Sequence, residues 1–206
     1  MSARPTTDAA PATETRYLPE AYRSLRSTVK FASGERPIRS VLVVDIDRDA
    51  RSQVAERLAL AFAEAGDRCV LIDTDSRHHD DRSTGFFDLL RGGAIGSEFT
   101  NPVDGGQLVR IGPGQGGSPD ALAGDRFGAT LDGLIEAHGV VVLSSAPLPK
   151  YADAVAIASR VDAVILVITA GGTRRPRAIE ARDALDRVGA RILGVVMLEP
   201  KKRWFW

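Results

Sequence analysis

The sequence predicts an α/β fold, with a doubly wound, mainly parallel sheet in a single domain. Four continuous apolar runs support this prediction: VLVV at 41–44, VVVL at 140–143, AVILVI at 163–168 and ILGVVM at 192–197. Runs without polar alternation are typical of strands that are buried on both faces. They alternate with helical segments, an order that places helices on both sides of a parallel sheet. The 206 residues suffice for one domain with a sizeable core.

Each element of this alternation has a local signal. We predict strands at 40–44, 68–72, 107–111, 140–143, 163–169 and 192–197, and helices at 19–31, 51–65, 85–91, 119–137, 152–159 and 176–188. Pro19 stands near the start of the first helix, and Gly66 follows the second helix as a C-cap signal. Two helices carry apolar residues at helical spacing, namely Val54, Leu58, Ala61 and Phe62 in one and Ala178, Ala181, Leu185 and Val188 in the other.

Composition excludes several classes of protein. Lys plus Arg equals Asp plus Glu, 27 each, so no net charge attracts the chain to nucleic acid or to an anionic membrane. The polar segment 1–17 is predicted to be disordered and is not a signal peptide. No window reaches the roughly 18 apolar residues of a membrane span. Cys69, the single cysteine, is predicted to be a buried structural thiol, and the chain is predicted to be soluble and cytoplasmic.

The strand, turn and helix at 41–66 have the outline of a phosphate-binding P-loop without its contents. A working P-loop needs glycines in the turn and a lysine at its end, whereas the turn at 45–51 reads DIDRDAR. A phosphate cradle uses positive-φ residues, and a residue other than glycine loses roughly 1–2 kcal/mol at each. Each aspartate facing a phosphate charge about 4 Å away would add repulsion on the order of 4 kcal/mol. The outline indicates an ATPase or kinase ancestor, and the turn indicates that nucleotide chemistry has been lost.

Four stretches in this order resemble the cytoplasmic tyrosine kinases of bacterial capsule and exopolysaccharide assembly (BY-kinases), a family within the deviant-Walker P-loop ATPases that include MinD and ParA. They are the Glu20-x-x-Arg23-x-x-Arg26 motif, the segment 41–66, Asp73-Thr-Asp75-Ser-Arg77 at a strand end, and AGGTRR at 170–175 followed by a helix and Gly194-Val-Val. The resemblance covers about 20–197. It implies a P-loop NTPase-like domain, which we place at 18–198, with a basic-aromatic tail at 199–206.

Carried over residue by residue, the resemblance implies a vestigial nucleotide site at Arg51, Ser52, Asp73, Asp75 and Ser144. Arg51 stands where the family has its phosphate-binding lysine, and Ser52 stands at the magnesium-binding hydroxyl. Ser144 takes the place of the second strand carboxylate. Asp73 and Asp75 are retained, either as a residual magnesium or water site or, as we favour, as surface charge. We predict no catalytic residue, no metal site and no cofactor; ATP and Mg²⁺ are needed only if the chain is an enzyme.

Other charged positions are candidates for contacts with a second protein. The resemblance implies that Glu20, Arg23 and Arg26 join subunits, of this chain or of an active relative; a solvated helix face is the alternative. Arg174 and Arg175 are candidates for binding acidic groups or phosphotyrosine on a partner, with a plain helix-entry loop as the alternative. Two further segments, HHDD at 78–81 and the glycine-rich 112–117, are predicted to be a solvated loop and an ordinary loop.

The C-terminal segment KKRWFW departs from the family pattern. Relatives carry a tyrosine cluster there that neighbouring subunits phosphorylate, whereas the tyrosines of this chain stand at 17, 22 and 151. Cations beside aromatic rings can anchor at a membrane surface or dock on a partner. Three alternatives stay open for Trp204, Phe205 and Trp206: contact with a partner, contact with a membrane, and packing within the fold.

The favoured hypothesis is a catalytically degenerate kinase-like protein that regulates or scaffolds exopolysaccharide or capsule biosynthesis. Its predicted partner is a membrane chain-length regulator (a polysaccharide co-polymerase) or an active kinase relative. Such a partner would hold it at the inner face of the plasma membrane. A homo-oligomer is a further alternative, and binding to nucleic acid is not expected. The alternatives are an active ATP-dependent tyrosine autokinase or ATPase with an atypical phosphate loop, and a MinD- or ParA-like membrane-positioning protein.

Overall fold

A computed structural model describes residues 18–32, 36–46, 53–78, 84–93, 100–103 and 106–200. The helices in these ranges are α1 (Glu20–Phe31), α2 (Val54–Glu64), α3 (Phe86–Leu90), α4 (Pro119–Ala123), α5 (Asp125–His138), α6 (Asp153–Ala158) and α7 (Arg175–Arg187). The strands are β1 (Ser40–Asp45), β2 (Cys69–Asp73), β3 (Thr100–Val103), β4 (Gly106–Ile111), β5 (Val140–Ser144), β6 (Ala163–Thr169) and β7 (Ile192–Leu198). A short 3₁₀ turn at Ser76–His78 follows β2.

The strands form one sheet in the order β3-β4-β2-β5-β1-β6-β7. Neighbouring strands from β4 to β7 run parallel, and β3 pairs antiparallel with β4 at one edge. The predicted doubly wound, mainly parallel α/β fold is therefore confirmed. The hairpin strand β3 was not predicted, because Asn101 and Pro102 are both poor strand formers.

The sheet buries apolar side chains on both faces. Leu42 and Val44 of β1 face a core completed by α3 to α7, and Val41 and Val43 face a core completed by α1 and α2. A fully buried leucine such as Leu58 contributes about 1.5–3 kcal/mol of stability. The continuous apolar runs are thus explained by helices on both sides. Cys69 is buried in the second core, as predicted, and burial raises the pKa of its thiol.

The predicted helix at 119–137 is wrong in one respect, because it is two helices. Gly124 is extended (φ −70°, ψ 161°) and separates α4 from α5. Arg160 fixes the break by donating to the carbonyl oxygens of Ala123 (2.5 Å) and Gly124 (2.6 Å). Ser118 caps α4 by accepting the N–H of Ala121 (3.4 Å). Tertiary hydrogen bonds therefore satisfy the backbone groups that a continuous helix would have paired internally.

The prediction that the run at 192–197 is buried on both faces is also wrong. Within the described part of the chain, β7 pairs with β6 alone and forms an edge of the sheet. Val195 is 56% exposed and Met197 is 64% exposed. Its apolar sequence is that of a central strand, but its position is at the periphery. No helix in the described ranges has the length and apolar composition needed to cross a lipid bilayer.

Candidate functional site

The carboxyl ends of β1, β2 and β5 bring three polar residues to one edge of the sheet. Asp45 ends β1, Asp73 ends β2, and Ser144 ends β5 directly beside Asp73. Ligands of open α/β sheets bind outside this edge, so a nucleotide site would lie here. Arg51 and Ser52, the two other members of the predicted site, lie outside the described residues. The structure thus brings together Asp73 and Ser144 of the predicted set, with Asp75 two residues on.

Asp73 is buried, 5% exposed, and is held by contacts within the chain. Its Oδ1 accepts the backbone N–H of Asp75 (3.1 Å) and the hydroxyl of Ser144 (3.4 Å). The same hydroxyl lies 3.4 Å from the carbonyl oxygen of Ile72. A serine hydroxyl has one proton to donate and carries no charge at neutral pH. Ser144 therefore supports Asp73 as a neutral donor and brings no negative charge to this edge.

Both carboxylate oxygens of Asp75, which is fully buried, are engaged by the turn that follows it. Arg77 donates its Nε–H to Oδ1 (2.8 Å) and an Nη2–H to Oδ2 (2.5 Å). The backbone N–H of Arg77 also donates to Oδ1 (3.1 Å), and His78 Nδ1 lies 3.1 Å from Oδ2. A bidentate guanidinium–carboxylate pair is among the stronger polar contacts in proteins. The 3₁₀ turn creates it, because the turn brings both side chains back to the strand end.

The charges of this pair stabilise each other. Burial alone would raise the pKa of Asp75, but the hydrogen bonds from Arg77 and the charges of His78 and Arg77 outweigh it, so this pKa lies below its ordinary value. The hydrogen bond to Asp75 in turn raises the pKa of Arg77. The guanidinium also lies over the ring of Tyr151, 4.2 Å from the centroid, in a cation–π contact. The Asp75 carboxylate and the Arg77 guanidinium are therefore both ionised at neutral pH, and their charges cancel.

Asp153, at the start of α6, is a further buried acid that the sequence did not single out. It is 3% exposed, and burial followed by the negative charge of Asp75 raises its pKa above the ordinary value. Among the described residues, no hydrogen-bond partner is found for its Oδ2. The only sequence signal was an acid at a helix start, which is common there because the helix dipole favours it. Its proximity to Asp75 is visible only in three dimensions.

We favoured the prediction that Asp73 and Asp75 carry charge at the protein surface, and this prediction is wrong. Asp73 is 5% exposed and Asp75 is 0% exposed. The sequence could not supply the reason, which is that Arg77, His78 and Ser144 provide partners that make burial of the two acids tolerable. For the same reason the predicted solvated loop is wrong at His78, which packs on Asp75; residues 79–81 lie outside the described part of the chain. The described residues contain no cluster of three or more His, Cys, Asp or Glu side chains suited to a metal ion.

A cleft of about 390 Å³ opens beside this edge, between the start of α2 and the strands β2, β4 and β5. Asp73 and Ser144 contribute to its wall, and Glu56 and Arg110 face each other across 3.8 Å. Its size lies in the lower part of the range of about 300–1,000 Å³ that small-molecule sites occupy. The lining therefore offers one buried carboxylate, one hydroxyl and one ion pair.

The predicted contact helix α1 is tied to α2 of the same chain. Arg23 lies 3.7 Å from Glu64, and Arg26 lies 3.6 Å from Asp67. Glu20 also lies 3.4 Å from Arg23, and its side chain is 75% exposed. The three residues thus form a partly solvated charged rim along the α1–α2 surface. That this rim joins subunits stays a prediction.

Arg174 and Arg175 are exposed at the start of α7, at the carboxyl end of β6. They lie at the same edge of the sheet as Asp45 and Asp73, one strand outward from Asp45 and three strands from Asp73. Their predicted role in binding acidic groups stays a prediction. Trp204, Phe205 and Trp206 lie outside the described residues.

The glycine-rich loop at 112–117 is a structural support for α3. The N–H groups of Gly85 (2.9 Å) and Gln115 (3.1 Å) both donate to Asp88 Oδ2. Arg91 donates to the carbonyl oxygens of Gln115 and Gly116. The loop's polar groups are directed at α3 in these contacts, as the ordinary-loop interpretation expects.

Two curated relatives cover most of this chain and most of their own length. The tyrosine-protein kinase YwqD of Bacillus subtilis is 26% identical over 191 residues, which are 86% of this chain and 79% of the relative. The tyrosine-protein kinase CpsD of Streptococcus agalactiae is 24% identical over 188 residues, or 86% and 82%. The resemblance to the bacterial tyrosine kinases is confirmed. No family model matches the chain.

Solved bacterial tyrosine kinases share the fold. The kinase domain of the Escherichia coli tyrosine kinase ETK superposes with a TM-score of 0.77 at 21% identity, covering 91% of this chain and 77% of that one. The chimerical protein CapA2B2 gives 0.75 at 20% identity, covering 86% and 83%. The septum site-determining protein MinD from Pyrococcus horikoshii, solved with Mg-ADP, gives 0.54 at 17% identity, covering 77% and 69%. The P-loop NTPase-like architecture expected from the sequence is thereby confirmed.

Proposed function

We propose that this chain is a catalytically degenerate relative of the bacterial tyrosine kinases that acts as a regulatory or scaffolding subunit in exopolysaccharide or capsule biosynthesis. One observation carries the proposal: at the carboxyl edge of the sheet, Ser144 stands beside Asp73 where the family resemblance implies a second carboxylate, while Asp75 is neutralised by Arg77. At the edge that would handle a metal nucleotide, the charge of Asp75 is thus balanced from within the chain, and the carboxylates of Asp45 and Asp73 remain.

The chemistry of magnesium supports this proposal. Mg²⁺ requires near-octahedral oxygen ligands at about 2.0–2.1 Å and is usually held through one or two carboxylates together with substrate phosphates. Arg77 occupies both oxygens of Asp75, so a metal would have to displace a bidentate cation. Ser144 is neutral. Asp45 and Asp73 are then the carboxylates left to attract a metal at this edge.

The composition of the turn at 45–51 supports the same conclusion from the phosphate side. It offers aspartates where a triphosphate would lie and has no glycine for a backbone cradle. Arg51 keeps a positive charge, but its planar fork differs in shape from the compact ammonium of a lysine. The residues at the ends of β2 and β5 are therefore poorly suited to bind a metal, and the turn at 45–51 is poorly suited to bind a phosphate.

A protein without catalytic activity would act by binding a partner. The proposed partner is a membrane chain-length regulator, a polysaccharide co-polymerase, or an active kinase relative, and it would place the chain at the inner face of the plasma membrane. The charged rim of α1 and the exposed Arg174 and Arg175 are the proposed contact surfaces. A second copy of this chain is a further candidate for the α1 rim.

Deletion of the gene followed by measurement of polysaccharide amount and chain length tests this function. We expect a change in one or both, restored by the native chain and restored equally by the variant Ser52→Ala, since nucleotide handling is not required. The double variant Arg23→Ala/Arg26→Ala is expected to restore less, and Arg182→Ala, at a surface arginine of α7, serves as its control. Unchanged polysaccharide in the deletion strain would contradict the proposal.

One observation favours an enzyme as the second candidate: four buried acids, Asp45, Asp73, Asp75 and Asp153, are kept around the carboxyl edge beside a cleft of suitable size. On this alternative the chain is an ATP-dependent tyrosine autokinase or ATPase with an atypical phosphate loop. Turnover by purified protein that Asp73→Asn or Ser52→Ala abolishes would support it. Failure to transfer radiolabel from ATP with Mg²⁺ or Mn²⁺ would remove it.

A further inference from the structure

The outer strand β7 presents an apolar strip that no described part of the chain covers. Val195 and Met197 are 56% and 64% exposed, and alternate residues of a strand point to the same face. Two further large apolar side chains, Phe31 and Ile179, are exposed singly on helices. An exposed apolar edge strand is a template for pairing with another segment, and stable proteins usually cover it.

The strip belongs to the face of the sheet that α7 packs on. In the register of β6 and β7, Val195 lies beside Leu166 and Met197 lies beside Ile168. Leu166 is 3% exposed within the core that α7 completes, so the cover ends between these two strands. The strip therefore continues the core outward by one strand, and its open side carries unpaired backbone donors and acceptors within the described part of the chain.

We infer that the strip is covered by the C-terminal tail of the same chain, which folds back along β7 as an antiparallel strand. The tail follows β7 directly: Glu199 and Pro200 come after Leu198, and KKRWFW follows. Residues 199–206 can reach about 26–29 Å when extended, and β7 is about 23 Å long. Pro200 suits the reversal, because proline fixes φ and is common in turns.

The spacing of the aromatic residues matches the strip. Trp204 and Trp206 are two residues apart and share a face in a strand, as Val195 and Met197 do. A hairpin loop at 199–202 sets Trp204 opposite Met197 and Trp206 opposite Val195, on the exposed face. A loop at 199–200 sets Trp204 opposite Val195 on that same face. Aromatic rings opposite aliphatic side chains are a stabilising cross-strand pair, so the docked tail completes the core and closes the edge.

Tryptophan fluorescence of the full chain reports on the tail alone, because Trp204 and Trp206 are its two tryptophans. We expect emission typical of partly buried indole and protection from acrylamide. Met197→Lys, at an exposed position, is expected to shift the emission to the red and to raise the quenching constant severalfold. The control Ile179→Lys changes an exposed apolar residue of α7 outside the strip and is expected to leave both unchanged. Fully exposed emission in the native chain would overturn the inference.

Disulfide trapping tests the register. Met197→Cys/Trp204→Cys or Val195→Cys/Trp204→Cys is expected to oxidise quickly within one chain, whereas Met197→Cys/Phe205→Cys, with the second thiol on the opposite face, is not. Cys69 stays out of the exchange, because it is fully buried and burial raises the pKa of its thiol. Equal rates for matched and mismatched pairs would overturn the inference.

Two other occupants of the strip have distinct outcomes. Cross-links that form only between chains and increase with protein concentration would show that a second copy covers it. Indole protection that appears only on adding vesicles of anionic phospholipid would show that the tail serves a membrane. Either outcome would overturn intramolecular docking.

Discussion

The carboxyl edge of the central strands and the outer strand β7 manage exposure in opposite ways. At the centre, ionised groups are buried and satisfied: Asp75 is 0% exposed and Arg77 binds both of its oxygens. At the periphery, apolar groups are exposed: Val195 and Met197 carry more than half of their surface in contact with solvent. The Asp75–Arg77 charge pair is thus satisfied inside the chain, whereas the apolar surface of β7 is left exposed at the side of the sheet.

The largest expected difference between the two regions is in the free energy of unfolding when a glycine of each is replaced by alanine. Gly114, in the loop after β4, has φ +77°, and a Cβ there would lie 2.3 Å from Asp88 and 2.4 Å from Gly85. Gly114→Ala should therefore lower the free energy of unfolding by about 2–4 kcal/mol, from conformational strain and a steric clash. Gly194→Ala in β7 meets nothing within 4 Å and should change it little. Denaturant unfolding of both variants checks this, and equal losses would contradict the comparison.

Removal of the partner of Asp75 should have the next largest effect. Arg77→Ala leaves a buried carboxylate without its cation, which costs on the order of 3 kcal/mol of stability. The matched control is Arg182→Ala, whose partner Asp183 is 45% exposed, so that solvent screens the pair and its loss should change stability little. Urea denaturation measures both. Similar small effects would mean that the carboxyl edge is solvated and that its charges are not held from within.

The two neighbouring acids should affect stability in opposite directions as pH changes. The folded-state pKa of Asp75 is lowered, so its contribution is complete above the ordinary value of 3.8 and is lost as pH falls below that value. The folded-state pKa of Asp153 is raised, so its contribution is present below 3.8 and is lost as pH rises through the folded-state value. Asp153→Asn should therefore raise stability at neutral pH relative to the native chain and remove the loss on the alkaline side.

A pH series of unfolding free energies checks this, with Asp125→Asn at the exposed start of α5 as the control. A loss of stability at neutral pH in Asp153→Asn would show that the negative charge of Asp153 is needed. In that case the carboxyl edge would need the negative charge of Asp153, as a working metal–nucleotide site needs its carboxylates.

The smallest expected effect is at the α1 rim. Arg23→Ala and Arg26→Ala each remove partly exposed ion pairs worth about 0.2–1 kcal/mol, and salt should weaken the effect of each further. If the rim joins subunits, the same variants should change the sedimentation coefficient while barely altering stability. Unchanged assembly in the presence of the proposed partner would leave the rim with its role within the chain alone.

The sequence predicted the architecture well because long apolar runs and helical spacing arise directly from a sheet that is covered by helices on both faces. The prediction was wrong where the same sequence pattern occurs in different tertiary environments. ILGVVM looks like a central strand and lies at an edge; the segment 119–137 looks like one helix and is broken by Arg160 binding the carbonyls around Gly124. Neither the position of a strand in the sheet nor a tertiary hydrogen bond is encoded in local periodicity.

The sequence brought three of the predicted site residues to one place but did not predict their burial. Asp73, Asp75 and Ser144 lie together as the motifs implied, but acids in a polar segment were expected at the surface. Their burial depends on Arg77 and His78 returning through the 3₁₀ turn. Asp153 lies about 80 residues after Asp75 in the sequence, and only the fold brings the two side chains together.

Calorimetry of ATP and ADP with Mg²⁺ on the purified full chain tests the central claim most directly. We predict no detectable heat at millimolar nucleotide. Binding should be gained in a variant that combines Ala50→Gly, Arg51→Lys and Ser144→Asp, and not in the control Arg57→Lys on α2. A dissociation constant tighter than about 100 μM for the native chain, roughly −5.5 kcal/mol, would contradict the account and make the enzyme alternative the working hypothesis.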